Sequence, residues 1–373
     1  MTRADRPALL LTSIRNKLEA FFGGSRPTSS IPRPTIIKVT GLKDLALRPA
    51  PVTVIFLHYH PQEFFSPGYV RLIESAASCG YRVIVASSAR PSRAQKYIGG
   101  IHLVYVQRHN LGYDFASLID VRNLLSSHGL LVESRYVVIN SSLLNIASEG
   151  FGRDPILQQL AHPDREIDLL GVTSSYERMT YHIQTYYYSY SARLFCSKDL
   201  HSFFRDYAVG LSRTKLTPRN YAIRFGELEL TAYVMKRGFS ATSIFEHLHL
   251  SSSDEYSTMI SLVERIREAI QLPIQEPACV ADLPTLIPGA FMREWRSVPG
   301  LQTNISQSCW ALLLANQFLF IKRELLENHQ PVQHCHATSA VSMLLPVLRA
   351  MQIELPQWSD LHVLPRLIFA SKP

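Results

Sequence analysis

The chain has 373 residues, of which 46% are hydrophobic and 18% are charged, and its 22 prolines and 17 glycines follow no repeat. This composition excludes a disordered chain, a collagen-like repeat and a coiled coil, and no apolar run reaches the roughly 20 residues needed to cross a bilayer. The net charge of +8 favours an anionic partner, with nucleic acid, acidic lipid and phosphorylated small molecules all open. Five widely spaced cysteines without a CxxC pair predict reduced thiols in a cytosolic protein.

The N-terminal segment, residues 1–36, is predicted to be an extension of the folded body. Residues 7–22 place apolar side chains on one face of an amphipathic helix. Docking of this helix on the protein's own core is the favoured interpretation, and contact with an acidic inner-membrane surface is the alternative. Residues 23–36 are rich in glycine, serine and proline and predict a linker, so the folded body is expected to begin near Pro51.

Strand and helix patterns alternate through the next part of the chain. Continuous β-branched runs predict strands buried on both faces, as in a parallel sheet. The predicted strands are 52–60, 81–88, 101–108, 135–142 and 167–177. Their alternation with helical segments predicts right-handed βαβ units and a doubly wound α/β sheet. No GxGxxG or P-loop sequence occurs, so the sequence does not support a classical dinucleotide site or a P-loop.

Polar clusters follow three of the predicted strands. They begin at His58, Arg108 and Asn140. In doubly wound sheets, ligands bind beyond the carboxyl ends of the strands. These clusters therefore mark the expected ligand-binding edge.

A tyrosine-rich segment and a helix follow the last of these strands. Residues 181–195 contain five tyrosines, for which a strand of a mixed sheet is favoured over a platform that stacks a planar or sugar ring. The apolar spacing within 224–239 predicts a helix that starts close to Glu227. Residues 331–373 predict a helical extension without site chemistry.

Six sequence motifs occur in an order that carries a family resemblance. They are QRHNLGYDFAS (107–117), VVINSSL (137–143), LLGVTSSYE (169–177), HIQTYYY (182–188), GELELTAYVMKRGF (226–239) and NISQSCWALLLANQFLFIKRELL (304–326). Together they resemble the rhamnan synthesis protein F family of bacterial cell-surface polysaccharide enzymes. The resemblance covers about residues 52–327.

The resemblance implies a glycosyltransferase of the hexosyltransferase kind. Its expected fold is a GT-A-like, Rossmann-type nucleotide-binding sheet flanked by helices, spanning residues 37–330 and carrying helical N- and C-terminal extensions. Such an enzyme moves a sugar, often rhamnose, from a nucleotide-sugar donor to a lipid-linked glycan during O-antigen, capsule or rhamnan synthesis. The expected location is cytoplasmic, with a peripheral contact to the inner membrane. The alternative is a catalytically inactive glycan- or nucleotide-binding assembly subunit.

Nucleic acid is not an expected partner. The basic residues are scattered along the chain, and no nucleic-acid reading motif is present. The motif order instead favours a nucleotide diphosphate as the partner of the excess positive charge. Anionic lipid at the N-terminal helix is the less favoured partner.

One departure from the family pattern bears on the cofactor. Where the family reads N-D-S, this chain reads Asn140-Ser141-Ser142, and no DxD occurs. If the family's Asp holds a divalent metal (Mn²⁺ or Mg²⁺) or the donor, Ser141 cannot supply its charge. Transfer without metal, a substitute carboxylate and lost activity are the three open outcomes.

Sugar transfer in an inverting reaction needs a base for the acceptor hydroxyl. Glu227 is the first candidate, because it matches the family's Glu, and Glu229 is its competitor. The alternative interpretation is that Glu227 only stabilises a helix N-terminus electrostatically.

The leaving diphosphate needs positive charge or a metal. Lys322 and Arg323 lie in the family's late motif, and Arg108 is a second source of charge at a strand end. The resemblance and the strand-end rule together predict donor contacts from His58, Arg108, Asn110, Gly112, Tyr113, Asp114, Asn140, Ser141, Ser142, Lys322 and Arg323.

Several of these residues also have a structural interpretation. Gly112 would let the backbone approach a ligand closely, and Asp114 could accept hydroxyls of a ribose or sugar. Asp114 could equally cap a helix that starts at Phe115, and His58 could be a buried, hydrogen-bonded histidine. For the acceptor, the candidates are Thr173, Tyr176, His182 and Gln184, with a satisfied polar pair in a strand as the alternative for the last two.

Overall fold

The computed structural model describes residues 35–43, 50–145, 154–175, 181–245, 306 and 320–322. The predicted N-terminal helix (7–22) and the C-terminal extension (331–373) lie outside these residues. The division at residues 36 and 330 therefore stays a prediction. None of the helices in the described ranges is long and apolar enough to span a membrane.

The described residues form a nine-stranded mixed sheet, a small two-stranded sheet and flanking helices. The strands are β1 (Ile36–Thr40), β2 (Val52–His58), β3 (Arg82–Ser87), β4 (Val104–Arg108), β5 (Arg135–Asn140), β6 (Leu143–Asn145), β7 (Leu169–Ser175), β8 (His182–Ile183), β9 (Tyr187–Tyr190), β10 (Ala241–Phe245) and β11 (Phe320–Lys322). The α-helices are α1 (Pro67–Ser78), α2 (Pro91–Ile98), α3 (Tyr113–Ser127), α4 (Pro155–Ala161), α5 (Ala192–Phe195), α6 (Lys198–Leu211), α7 (Pro218–Tyr221) and α8 (Leu228–Lys236), with a π-helical segment at Ala222–Glu227. The predicted α/β class is confirmed.

The large sheet has the order β1-β4-β3-β2-β5-β9-β7-β10, with β8 paired to β7. β4, β3, β2 and β5 are parallel to one another, and β1 and β9 are antiparallel to their neighbours. From β2 the chain builds β3 and β4 on one side and then β5 on the other. The order thus reverses between β2 and β5, which is where ligands bind in doubly wound sheets.

The central strands form as their sequences predict. Every residue of β2, β3 and β7 is buried, because continuous apolar and β-branched runs can cover both faces of a parallel sheet. The tyrosine-rich segment also forms a strand, since β9 is buried throughout and pairs antiparallel with β5 and β7. The mixed-sheet interpretation of this segment is confirmed.

Two elements differ from the predictions. β1 lies before Pro51, at the end of the predicted linker, and pairs with β4 along the sheet edge. The α-helix α8 begins at Leu228, directly after Glu227 as predicted, but it continues a helical stretch that begins at Pro218, where Thr217 accepts a hydrogen bond from the Asn220 N–H and proline occupies the first turn. Glu227 therefore lies inside a continuous helical stretch, so the helix-start interpretation of this glutamate is wrong.

Candidate active site

Side chains and backbone groups fasten the carboxyl ends of β2 and β5 to each other. The Ser141 hydroxyl accepts a hydrogen bond from the Tyr59 N–H (3.0 Å) and donates one to the Tyr59 carbonyl (3.2 Å), while the Ser141 N–H donates to the Leu57 carbonyl at 2.9 Å. Tyr69 of α1 donates its hydroxyl to the carbonyls of Leu57 and Ile139. We call these five residues the β2–β5 junction. Ser141 lies at the predicted edge, and its hydroxyl bonds the backbone of Tyr59, the residue that follows β2.

His58 ends β2 as a buried, hydrogen-bonded histidine. Its ring stacks on Phe65 with centroids 3.7 Å apart and an interplanar angle of 7°. Its Nδ1 lies 2.8 Å from the Ser87 hydroxyl, and its Nε2 lies 3.0 Å from the Phe64 carbonyl oxygen. These contacts attach the loop after β2 to β3, which is the structural interpretation left open by the sequence.

The amide of Asn140 connects the end of β5 to the start of α3. Its Nδ2 donates to Asp114 Oδ2 at 2.7 Å, and its Oδ1 accepts from the Ser142 N–H at 3.0 Å and from the Ser142 hydroxyl. Because the Ser142 N–H can only donate, it fixes the amide so that Nδ2 faces Asp114. Burial, with a smaller contribution from the charge of Glu227, raises the pKa of Asp114 to about 6.

The start of α3 differs from the prediction for Asp114. α3 begins at Tyr113, and no side chain caps it. Asp114 lies within the first helical turn, and its carboxylate bonds Asn140. The capping interpretation of Asp114 is therefore wrong, and its donor-binding role stays a prediction.

Gly112 is required by packing within the fold. Its φ is +75°, and an added Cβ would lie 2.6 Å from both Ala116 Cβ and Leu211 Cδ2. A glycine here lets α3 pack against α6, so its presence is explained without a ligand. Asn110 lies partly buried in the same loop between β4 and α3.

Arg108 is buried and bonds the loop that follows it. Its Nε donates to Asp120 Oδ2 at 3.0 Å, Nη1 donates to the Ser117 hydroxyl at 2.7 Å, and Nη2 donates to the Leu111 carbonyl at 2.9 Å. Each of the three guanidinium nitrogens thus has a partner within the protein. Arg108 positions the loop between β4 and α3, and a diphosphate contact would require it to exchange these bonds.

Glu227 lies beside His182 at the same edge of the sheet. The Oε1 of Glu227 is 3.8 Å from the Nε2 of His182, and its side chain is 23% exposed while that of His182 is 3% exposed. Asp114 and Glu227 are close enough for the charge of Glu227 to raise the pKa of Asp114. We call Asp114, Asn140, His182 and Glu227 the carboxylate cluster.

Two contacts on either side of Glu227 fix its position. At Gly226, an added Cβ would lie 2.6 Å from Phe115 Cδ2, so the glycine lets this part of the helix approach α3 closely. One helical turn after Glu227, the buried Thr231 hydroxyl accepts the Ile183 N–H at 2.9 Å. Thr231 was not predicted as a site residue. Its spacing of four from Glu227, which places both on one helix face, is the sequence signal for it.

Glu229 is separated from the carboxylate cluster by the helix geometry. Residues two apart do not share a helix face, and Glu229 is exposed while Glu227 is partly buried. The structure therefore distinguishes the two glutamates by position, with Glu227 next to Asp114 and His182.

The predicted acceptor residues form a buried polar chain. Thr173 donates its hydroxyl to Gln184 Oε1 at 2.7 Å and also contacts the Tyr186 hydroxyl. All three side chains are almost fully buried, as is His182. Tyr176 lies outside the described residues. Tyr186 was not predicted individually, although it belongs to the tyrosine-rich segment.

The late segment of the chain brings a cation to this edge. β11 pairs with β6 so that Lys322 is opposite Leu143, just beyond Ser142, and its Nζ lies 5.2 Å from the centroid of the Tyr186 ring. Such a cation–π contact favours a fixed ammonium position. Arg323 lies outside the described residues.

The described side chains do not form a metal centre. No group of three or more His, Cys, Asp or Glu side chains in the described ranges has an arrangement that could hold a metal ion. Ser141 bonds the backbone of Tyr59, and Asn140 directs its NH₂ group at Asp114. The described residues at the position of the family's N-D-S motif therefore do not fit a bound divalent ion.

Part of the chain matches the model of a known protein family. Residues 83–266 match the family model described as rhamnan synthesis protein F. The predicted family is confirmed. The matched segment contains all four residues of the carboxylate cluster, Asp114, Asn140, His182 and Glu227, whereas Lys322 lies after it. A comparison with curated proteins gives no match.

Two solved structures are similar at low identity. The apo-form glycosyltransferase GlyE from Streptococcus pneumoniae TIGR4 is 11% identical, with a TM-score of 0.30, and the match covers 52% of this chain and 44% of that protein. The mannosyltransferase PcManGT from Pyrobaculum calidifontis, in complex with GDP-Man and Mn²⁺, is 14% identical, with a TM-score of 0.29, and the match covers 95% and 96% of the two chains. The chain thus spans less than half of the first protein.

Proposed function

We propose that this protein is a glycosyltransferase that moves a sugar from a nucleotide-sugar donor to a lipid-linked glycan of a cell-surface polysaccharide. The observation that carries the proposal is the convergence of four separated family motifs in the carboxylate cluster. Asn140 bonds Asp114 at 2.7 Å, and Glu227 lies 3.8 Å from His182. The family match supports a polysaccharide substrate. A nucleotide-sugar donor carries negative charge and so fits the anionic partner that the net charge of +8 favours.

The proposed reaction is a single displacement at the anomeric carbon. The acceptor oxygen bonds that carbon while the bond from the carbon to the phosphate oxygen breaks, and the nucleoside diphosphate leaves with the bonding electrons. Glu227 takes the acceptor's proton, for which its partly exposed carboxylate at the edge of the site is suited. The Lys322 ammonium stabilises the charge that develops on the diphosphate.

No step of this proposal passes through a metal. The Ser141 hydroxyl is bound to Tyr59, and the Asp114 carboxylate bonds the preceding residue, Asn140. Arg323, next to Lys322 in the sequence, is the second cation that we assign to the diphosphate. Transfer assays with and without Mn²⁺ test the metal requirement directly.

The test of the base is a pair of matched variants. Glu227→Gln keeps the size of the side chain and removes its basicity, so transfer across a panel of nucleotide sugars should fall about 100-fold or more. Glu229→Gln changes the exposed glutamate two residues away and should keep activity within about twofold. Nucleotide affinity and Tm should be unchanged in both. Full activity in Glu227→Gln would remove Glu227 from this role.

A second candidate is a catalytically inactive, nucleotide-binding assembly subunit of the same pathway. The bonds of Ser141 favour it, because the position of the family's Asp is here occupied by a residue that fastens β2 to β5. Binding of nucleotide sugars without turnover, with several donors and both with and without Mn²⁺, would support this candidate over the enzyme.

We also propose that the protein acts at the cytoplasmic face of the inner membrane. The net charge of +8 and the amphipathic pattern of residues 7–22 support this location. Sedimentation with vesicles containing phosphatidylglycerol, compared with neutral phosphatidylcholine vesicles, measures the contact. Deletion of residues 1–34 should abolish it, and unchanged sedimentation would contradict the assignment.

A further inference from the structure

Tyr113 is an exposed aromatic residue in an unfavourable backbone conformation. Its side chain belongs to the few large hydrophobic ones on the described surface, at 41% exposure, and its φ is +56°. A left-handed conformation is disfavoured for any residue with a Cβ. Within the described ranges, no aromatic ring stacks on Tyr113. No ring contact within the described ranges therefore offsets the conformational free energy that the positive φ of Tyr113 costs.

The surrounding residues hold Tyr113 in this conformation. The Ser117 hydroxyl donates to the Tyr113 carbonyl at 3.0 Å and in turn accepts from Arg108 Nη1 at 2.7 Å. Arg108 also bonds the Leu111 carbonyl, and Gly112 is packed against α6. Strained residues that are held in this way cluster at ligand sites, because the strain preorganises a contact. A buried arginine network thus fixes a ring that faces outward.

Tyr113 is one end of a row of polar contacts along the sheet edge. Asp114 follows it directly and accepts from Asn140, and Asn140 accepts from the Ser142 N–H. The next residue after Ser142 is opposite Lys322 in the β6–β11 pair. The row therefore presents an aromatic ring, then a carboxylate, then an amide, then a cation.

We propose that this row sets the direction of the bound donor. The nucleoside base stacks on Tyr113, the ribose hydroxyls donate to Asp114, and the diphosphate lies towards Lys322. This inference rests on the proposed function, since it assumes a nucleoside diphosphate donor. The order of groups in the ligand matches the order along the row, because the ribose of a nucleotide separates its base from its phosphates.

A sugar ring on Tyr113 is the competing ligand, since carbohydrates also pack on aromatic rings beside carboxylates. The nucleoside is favoured because the cation lies at the opposite end of the row. A sugar at Tyr113 would place the leaving phosphate at Asp114, where two negative charges would meet.

Calorimetric titration with separate parts of the donor tests the direction. The ligands are uridine, thymidine and guanosine diphosphates, the corresponding nucleosides, pyrophosphate and free rhamnose. Tyr113→Gly removes the ring and tolerates the positive φ, so its backbone is expected to keep its conformation. It should weaken nucleoside and nucleoside diphosphate binding on the order of tenfold and leave pyrophosphate binding unchanged. Lys322→Met should weaken diphosphate and pyrophosphate binding and leave nucleoside binding unchanged.

Two control variants make the result specific. Tyr113→Phe keeps the ring and should bind like the unaltered protein. Tyr59→Ala removes a ring of similar exposure at the same edge, while the junction uses only the backbone of that residue, so nucleoside binding should persist. Nucleoside loss in Tyr59→Ala with retention in Tyr113→Gly would overturn the assignment, as would rhamnose binding that depends on Tyr113. If the unaltered protein binds none of the nucleoside diphosphates, the proposed function fails before the direction is tested.

Discussion

The β2–β5 junction and the carboxylate cluster share one edge of the sheet but use their polar groups differently. In the junction, the hydroxyls of Ser141 and Tyr69 bond backbone groups of the two strands. In the carboxylate cluster, Asp114 and Glu227 both remain partly exposed. The polar groups of the junction thus hold the sheet together, whereas those contributed by helices can meet a ligand.

This comparison refines the rule that ligands bind at the carboxyl ends of parallel strands. The rule locates the edge correctly, since Asn140 ends β5 and belongs to the cluster. It does not say which strand-end residues are available, because His58 and Ser141 have partners in the fold. If the comparison is right, substitutions in the junction change stability and those in the cluster change activity.

Apart from the loss of the base in Glu227→Gln, the largest effect is expected for Asp114→Asn. An amide has one accepting oxygen, which the Asn140 Nδ2 would occupy, so a donating NH₂ group would meet the ribose hydroxyls. We therefore expect kcat/KM to fall about 100-fold, which is about 2.7 kcal/mol in transition-state stabilisation. The free energy of unfolding at pH 7 should not fall, because burial already disfavours the charged carboxylate. Urea unfolding and donor kinetics measure the two quantities. A large loss of stability with normal kinetics would place Asp114 with the junction instead.

The pH dependence of the free energy of unfolding tests the same assignment of Asp114 to the carboxylate cluster. The pKa of Asp114 is raised to about 6 in the fold, above the usual value near 4, so the folded state binds this proton more tightly than the unfolded state. The contribution of Asp114 to stability is therefore full below about pH 4 and lost as the pH rises through about 6. The unaltered protein should gain about 2 kcal/mol relative to Asp114→Asn between pH 7 and pH 4.

A second buried aspartate, Asp154, is expected to titrate over the same pH range. Burial also raises the pKa of Asp154 to about 6, where its carboxylate accepts the Ile156 N–H at the start of α4. Asp154 is present in both proteins, so its contribution cancels in the difference. A difference that does not change with pH would show that Asp114 titrates normally.

Tyr69→Phe should lower stability with little effect on turnover. The change leaves two junction carbonyls without the Tyr69 hydroxyl, and the cost expected for a buried hydrogen bond is about 1 to 1.5 kcal/mol. Tyr59→Phe removes a hydroxyl from an exposed ring and should cost less than about 0.5 kcal/mol. Chemical unfolding of both variants measures the difference. A loss of kcat in Tyr69→Phe at full folding would contradict a purely structural junction.

Of the two changes to hydroxyls of the β2–β5 junction, Ser141→Ala is expected to have the smaller effect. It removes the hydroxyl that bonds Tyr59 and should cost about 1 kcal/mol, since the Ser141 backbone bond to Leu57 remains. Transfer measured with and without Mn²⁺ should be unchanged per folded molecule. Activity that disappears in this variant would move Ser141 from the junction into the catalytic cluster.

Local pattern was enough to predict the central strands and the edge. The run from Val52 to His58 is apolar and β-branched almost throughout, and such a run has few alternatives to a buried strand. The edge strand β1 was missed because IIKVT is short and follows a proline-rich stretch. Its place is fixed by pairing with β4, a contact that no local pattern contains.

The cluster was predictable in its members but not in its contacts. The motif order pointed to Asp114, Asn140, His182 and Glu227 individually. That Asn140 faces Asp114 depends on the Ser142 N–H, and the π-helical segment that ends at Glu227 packs closely against α3 through Gly226. A π-helical turn has no propensity signal of its own and is frequent at functional sites, so periodicity alone did not reveal the helical stretch that precedes α8.

The pairing of β6 with β11 has a consequence for the order in which the molecule is made. Leu143 and Lys322, which face each other in this pair, are separated by almost half the length of the chain. During synthesis, the helix that carries Asp114 and the strand that carries Asn140 leave the ribosome long before the segment with Lys322, and domains tend to fold from the N-terminus first. A nascent chain therefore acquires its proposed nucleoside contacts early and its phosphate contact late. On this basis the unfinished protein would hold a donor only weakly until translation passes residue 322.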